Sequence, residues 1–423
     1  MNDLDRAIAV HAEDAFVLLE DLVASASVVG LEQGAQEVFA RAAELSGLTI
    51  QRLAFSHRDI ADERAGVTQH SPGTALERYQ VLASSAGTGP LTLLMNGHID
   101  VVPADSPELW TSPPFAPARR NGRLYGRGAG DMKSGLAMGI LALRALQDIA
   151  PDLFATRRLG FVAVIEEECT GNGTLQSIVD HGVTAPEVLL LEPTDLGVML
   201  GGIGVIWLKI DVFAYSSHAY SAHDHANAID LGMRLIGALR SWSQALSHTH
   251  PDSSLDPGDI PYNLNVGMVH AGDWASTAPS RATFDVRVGF PRGWSASDAE
   301  QQLRQIIHAT AANDPHFPSQ PTVTPSGLRA EGYLVDADSA LVRDLSAAHL
   351  DAHGVEPRLF SLGSTTDARM YVNTGGLSAV CFGATAYDMH GIDESVELQS
   401  IVDGARTLAR FLLTRFNESD VNA

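Results

Sequence analysis

Apolar positions along the chain fall into two kinds of pattern. Residues 8–46 repeat them at helical spacing and predict two amphipathic helices. Short continuous runs rich in Val, Ile and Leu follow: LTLLM (91–95), RLGFVAVI (158–165), EVLLL (187–191) and SAVCF (378–382). A run that does not alternate suits a strand buried on both faces, as in a parallel sheet covered by helices. Helical stretches lie between the runs, notably MKSGLAMGILALRALQ (132–147) and SIVDGARTLARFLLTRF (400–416). This is the order of an α/β protein.

The middle of the chain reads differently. GVIWLKIDVFA (204–214) and ATFDVRVGF (282–290) alternate, which favours an antiparallel sheet with one wet face. A helical stretch, ANAIDLGMRLIGALRSWSQAL (226–246), lies between them. Residues 204–315 are therefore expected to form an inserted α+β domain, after which the α/β pattern resumes. HTHPDSSLDPGDIPYN (248–263) reads as a loop on its Pro, Asp and Ser content.

Composition then removes several function classes. The 423 residues allow two or three domains and a large core. Asp and Glu outnumber Lys and Arg by 51 to 28, a formal charge of −23, which argues against nucleic-acid binding and against adhesion to anionic membranes. No apolar run approaches the ~20 residues needed to span a bilayer. The acidic, amphipathic N-terminus is unlike a signal peptide. Two cysteines, Cys169 and Cys381, do not make a disulfide framework. A soluble cytoplasmic protein is expected.

Chemistry appears where the buried runs end. Run 91–95 leads to His98 and Asp100, run 158–165 to Glu166, Glu167 and Glu168, and run 187–191 to Glu192. Run 378–382 leads through a short loop to His390, and Asp131 sits in GRGAGDMKSG at a helix start. Ligand sites in open α/β sheets form beyond the carboxyl ends of the strands. Two His and several carboxylates at one edge suit Zn2+ or a similar divalent ion, and a shared carboxylate between two His suits a two-metal centre. Taken singly, a His among 16 is usually a solvated one, EEE is usually a solvated acidic face, and GRGAG lacks the spacing of a dinucleotide fingerprint. An acid directly after FVAVI, however, lies at the end of a buried strand, which is costly unless the acid is paired or metal-bound.

The ordered set GHIDVVP, GRGAGDMKSG, EEECTGNG, LEPTD and MHGIDESV closely resembles the M20 metallopeptidase family. That family includes acetylornithine deacetylase, succinyl-diaminopimelate desuccinylase, aminoacylase and carboxypeptidase G. The resemblance runs from about residue 90 to 400. It implies a mixed-sheet, zinc-peptidase-like catalytic domain made of residues 1–203 and 316–423, with 204–315 as a lid and dimerisation domain, and hence a homodimer. It implies two divalent ions, Zn2+ or else Co2+ or Mn2+. His98 and Glu192 resemble ligands of one metal, Asp131 the bridging carboxylate, and Glu168 and His390 ligands of the other. Asp100 resembles the acid that orients the His98 imidazole, and Glu167 the general base and acid. The family's signature here is Asp-Glu-Glu; counting back from Gly173 places Glu166 at the Asp position, with a slip to Glu166 and Glu167 as the alternative register.

On the lid, His218 in YSSHAYSAHDHANAID resembles a His that helps bind the oxyanion, contributed in dimeric relatives by the other subunit. Arg287 in FDVRV and Arg369 in STTDARM resemble Arg residues that bind a substrate carboxylate, a role suited to a planar guanidinium. Ion pairs with Asp285 or Asp367 are the competing explanation. One departure concerns WASTAPS (274–280), where many relatives carry Asn: Ala275 and Ser276 replace the amide donors and Trp274 adds bulk, suggesting a larger or more apolar substrate group. The activity implied is hydrolysis of N-acyl amino acids, as in acetylornithine deacetylase, with a dipeptidase or carboxypeptidase as alternative. A catalytically silent binding protein on the same scaffold is the alternative of another class, opposed by the filled ligand and base positions.

Overall fold

The computed structural model describes residues 2–56, 63–67, 78–255 and 260–418. The four continuous runs become four neighbouring strands of a nine-stranded sheet, in the order Leu159–Val164, Leu93–His98, Glu187–Leu190, Ser378–Cys381. All four are parallel. Antiparallel strands flank them: Tyr79–Ser84 with Thr49–Ala54 on one side and Val198–Gly202 on the other. The sheet is therefore mixed. Its central strands run a little later than the apolar run 91–95 suggested, so that His98 is itself a strand residue.

Continuous runs make sense here because successive residues enter different cores. Leu93, Met95, Phe161, Ala163, Leu189 and Val380 face a core shared with the helices Asp3–Ala24, Ser134–Ile149 and Leu398–Glu418. Leu94, Val162, Val164, Val188, Leu190 and Ala379 face a second core with Ile178 and Tyr371. Truncating any of these leucines to Ala would cost about 2–5 kcal/mol. At one point the backbones meet directly: a Cβ on Gly135 would lie 1.9 Å from the Leu191 carbonyl oxygen. Only glycine lets the first turn of the helix Ser134–Ile149 press against the end of the strand Glu187–Leu190, which carries Asp131 to the strand ends.

The inserted segment forms a four-stranded antiparallel sheet, ordered Leu264–Ala271, Arg281–Phe290, Gly204–Phe213, Thr322–Ala330. Alternation works as expected. Ile206, Leu208, Ile210 and Val212 pack on Leu231, Leu235, Leu303 and Ile307 of the helices Ala228–Thr249 and Ala296–Ala312, while Lys209 faces outward. The expected end at residue 315 is too early, because Thr322–Ala330 belongs to this sheet by strand pairing. Pro325 interrupts that strand at an edge, beside a register shift between Pro325 and Arg329, and so hides its pattern. In the expected loop 248–263, the helix extends to Thr249, and 256–259 lie outside the described residues. Among the described residues no helix is long and apolar enough to cross a membrane.

Candidate metal centre

Because the four central strands are parallel, their carboxyl ends open on one edge. His98 ends the strand Leu93–His98 and is 1% exposed. Its Nδ1 lies 2.9 Å from the Asp100 carbonyl oxygen, which can only accept, so the proton sits on Nδ1 and Nε2 is left as a donor atom for the cavity. Around Nε2 stand Asp131 at 3.2 Å, Glu192 at 3.8 Å and Glu167 at 4.0 Å. Asp100 thus orients the imidazole with its carbonyl group, not primarily with its carboxylate, which is 3.9 Å away. That carboxylate instead accepts the backbone N–H groups of Glu167 and Glu168 at 3.3 and 3.2 Å, fixing the acid triplet.

Asp131 spans the site. One oxygen is 3.2 Å from His98 Nε2 and the other 3.3 Å from His390 Nε2, which in turn lies 3.1 Å from Glu168. One carboxylate between two imidazoles is what a bridging ligand requires. Donor atoms of His98, Asp131 and Glu168 lie within 4.8 Å of one another. Imidazole nitrogen and carboxylate oxygen together fit Zn2+ and its divalent neighbours.

The electrostatics show anionic charge in want of a cation. Burial drives Glu192 up to about 8 and Asp100 up to about 7. Burial also holds Glu167 well above the ordinary carboxylate range. For Asp131, burial works upward, but hydrogen bonds from His390 and His98 outweigh it and keep the group ionised. The neighbouring Glu168 is the main reason His390 rises to about 11. Burial disfavours a charged His98, yet Glu192, Asp131 and Glu167 still raise it well above the usual imidazole value. Bound divalent ions would replace these protons.

The acid triplet divides by direction. Glu166 is fully buried with φ +62° and turns to Arg78 at 2.5 Å and to the Thr170 hydroxyl at 2.7 Å. Glu167 and Glu168 line the cavity. The helix Asn172–Val179 that follows this turn packs against the strand end at Gly173, where a Cβ would lie 1.9 Å from the Ile165 carbonyl oxygen. Arg78, which also grips Glu32, was not singled out from sequence; it stands far from the triplet along the chain and belongs to no local pattern.

A cavity of about 580 Å³ opens over these acids, closed on the far side by lid residues. Arg287 lines it, donating to Asn263 Oδ1 at 2.6 Å and to Ser364 Oγ at 3.2 Å. It forms no ion pair with a described carboxylate, since Asp285 faces Lys209 instead at 3.9 Å. Burial lowers Arg287 to about 10, still charged at neutral pH. Asn263 was also missed by sequence reading.

The other expected residues lie elsewhere. Arg369 does not line the cavity. It is 2% exposed, donates to the carbonyl groups of Thr366 at 2.9 Å and Thr170 at 3.3 Å, and pairs with Asp367 at 3.5 Å. A direct contact from Arg369 to substrate is thus not available in this arrangement, because its guanidinium is committed to the packing beneath the acid triplet. His218 is exposed on the lid, accepting a hydrogen bond from the Tyr220 amide at 3.1 Å, outside the cavity of its own chain. Trp274 is 72% exposed and does not line the cavity either. Apolar surface is supplied by other residues, among them Trp207, Phe360, Leu362 and Met389.

Comparison with known proteins agrees with this construction. Residues 94–414 match Peptidase family M20/M25/M40. Succinyl-diaminopimelate desuccinylase of Methylobacterium sp. (strain 4-46) is 29% identical over 416 residues, 95% of this chain and 96% of that protein. Human carnosine dipeptidase 1 superposes with a TM-score of 0.80 at 17% identity, covering 98% of each chain. A dinuclear metal-binding peptidase of the M20 family from Bacillus subtilis superposes at 0.61 with 13% identity, covering 97% of this chain and 99% of that one. At such identities the structural likeness establishes the fold alone. With the match running over most of its length, the chain belongs to Peptidase family M20/M25/M40 and is a metal-dependent hydrolase acting on amide bonds.

Proposed function

We propose that the protein hydrolyses the amide bond of N-acyl amino acids, holding the free carboxylate of the amino acid on Arg287. The observation that carries this reading is the Arg287 guanidinium, charged, inside the cavity and without a carboxylate partner among the described residues. Trp207, Phe360, Leu362 and Met389 supply an apolar wall for the acyl group or the amino-acid side chain.

The residues have separable roles. His98 and Glu192 would hold one divalent ion, Glu168 and His390 the other, with Asp131 common to both; Zn2+ suits the donor set, with Co2+ or Mn2+ also compatible. When bound, such ions lower the pKa of water and polarise a carbonyl. Glu167 stands beside the ligands with its carboxyl oxygen open to the cavity, takes the proton of the attacking water and returns it to the leaving nitrogen. Asp100 holds His98 and the triplet in place. His218 is assigned to the cavity of a second copy across a homodimer formed through the lid, where it would help bind the oxyanion.

The test is a panel of N-acetyl and N-succinyl amino acids and of dipeptides, assayed with Zn2+ or Co2+ after metal removal. N-acyl amino acids should be cleaved with the highest kcat/KM, and Glu167→Ala should lower kcat by about 10²–10⁴-fold while both ions still bind. Faster cleavage of dipeptides would favour the peptidase reading. Full activity in Glu167→Ala would overturn the assigned mechanism. A protein that takes up no divalent ion would be a binding protein instead.

A further inference from the structure

Asp131 and His390 come from loops about 260 positions apart in the chain, yet one buried ion pair touches both loops. Glu394 is fully buried, and one of its oxygens accepts the amide N–H groups of Gly130 at 2.9 Å and of Asp131 at 3.0 Å. Its other oxygen accepts from Arg127 at 2.5 Å. Arg127, 2% exposed, extends a second nitrogen to the Gly391 carbonyl oxygen at 3.1 Å, on the residue after His390. The Gly126 amide returns to the Glu394 carbonyl at 2.9 Å. Packing at the junction leaves no slack, since a Cβ on Gly130 would lie 2.7 Å from that of Ala386.

Neither residue lines the cavity, so neither can touch substrate. Stability is a poor reason for the pair: burying two charges costs several kcal/mol each, and apolar replacements of similar volume are often as stable. What the pair supplies is geometry. Two successive amides aimed at one carboxylate oxygen fix the backbone that presents Asp131, and the bond to Gly391 fixes the turn that presents His390. His98, which ends a strand, and Glu192, two residues beyond the neighbouring strand, have less need of such a device, because the paired strands and the Leu191 amide bond to the Asn96 carbonyl at 2.9 Å bring them together.

We propose that Arg127 and Glu394 are positioning residues that set the separation of Asp131 and His390, and thereby the affinity of the cation these two hold with Glu168. The proposal rests on the dinuclear reading above. Metal-free protein is titrated with Zn2+ by calorimetry and by competition with a chromophoric chelator, and no substrate is needed. Wild-type protein should bind two ions. Glu394→Ala should bind the second ion about 10–100-fold more weakly, and the first, which shares only Asp131 with it, should lose clearly less. Arg127→Lys keeps a cation beside Glu394 but shortens the reach to Gly391, and should fall between the two. The double variant Arg127→Met with Glu394→Gln removes both buried charges, which protects folding, but cuts the link to Gly391; it too should lose at least about tenfold on the second ion.

Equal loss at both ions would show a general structural role and overturn the proposal. So would folded variants that bind both ions within about threefold of wild type, against the 10–100-fold expected when such supporting contacts are removed. Wild-type protein that binds a single ion would instead overturn the dinuclear reading, and the proposal with it.

Discussion

His98 and His390 face the same carboxylate from opposite sides but are held by different means. His98 ends a strand paired on both sides, beside the strand that leads to Glu192. His390 sits on a loop between the short strands Ala386–Tyr387 and Ser395–Glu397, with φ +60° and a side chain 53% exposed. A non-glycine residue in that left-handed region costs of order 1–3 kcal/mol and persists only where its surroundings impose it. The strand-borne half of the centre is therefore part of the core, and the loop-borne half is imposed on it by tertiary contacts. Metal affinity and fold stability should separate accordingly.

The largest expected effect comes from removing each imidazole in turn. His98→Ala should eliminate the ion held at the strand ends and also destabilise the metal-free protein by about 2–4 kcal/mol, because it opens a cavity among buried carboxylates. His390→Ala should weaken the other ion by more than about 100-fold, yet lower the metal-free melting temperature by clearly less than His98→Ala does, because its half-exposed side chain leaves no buried cavity. Calorimetric titration and thermal melts of the two variants, measured together, test this. Equal melting temperatures would erase the distinction between the halves.

Next in size is the pH dependence of the metal-free protein. Glu192 and Asp100 titrate in the fold at about 8 and about 7, above their unfolded values, so the fold holds extra protons across the neutral range. Their contribution is full only below the unfolded values of 3.8 and 4.5 and is lost progressively as pH rises to about 7 for Asp100 and about 8 for Glu192. His390, raised from 6.5 to about 11, acts in the same direction from pH 6.5 upward. Asp131 is lowered and opposes only at strongly acid pH. The melting temperature should fall by on the order of 5 °C between pH 5.5 and 8.5, and saturating Zn2+ should flatten or reverse that slope. A metal-free protein that grows more stable over this interval would contradict it.

The two arginines extend the contrast from metal to substrate at smaller scale. Arg287→Ala should raise KM by about 10–100-fold through loss of a charge-assisted contact, with kcat little changed. Arg369→Lys should act through stability, lowering the melting temperature while leaving KM within about twofold. Steady-state kinetics beside thermal melts separates the two. Trp274→Ala should change neither quantity measurably, being an exposed substitution.

Much of this architecture is legible in local pattern. The four continuous apolar runs become the parallel heart of the sheet because residues buried on both faces leave no polar alternation to find. The alternating stretches 204–214 and 282–290 become lid strands for the complementary reason. Harder to see were Tyr79–Ser84, Val198–Gly202 and Thr322–Ala330, which lie at the flanks or carry glycines and a proline within them. The expectation from Trp274 rests on neighbours in sequence, and Trp274 does not line the cavity of its own chain, whose apolar wall includes Trp207 and Phe360.

Sequence alone determined which donor atoms are available and that they follow buried strands, because strand ends and helix starts are encoded within a few residues. It could not determine direction or convergence. Three consecutive acids are chemically alike; the turn that sends Glu166 to Arg78 decides which two face the cavity. Arg287 and Arg369 both stand in matching signatures; only the fold leaves one open to a ligand and buries the other against Asp367. The placement of Asp131 between His98 and His390 depends on close backbone approaches at Gly130 and Gly135 and on the Arg127–Glu394 pair. Those contacts join segments from 56 to 267 positions apart, and their geometry exists only once the layers have packed.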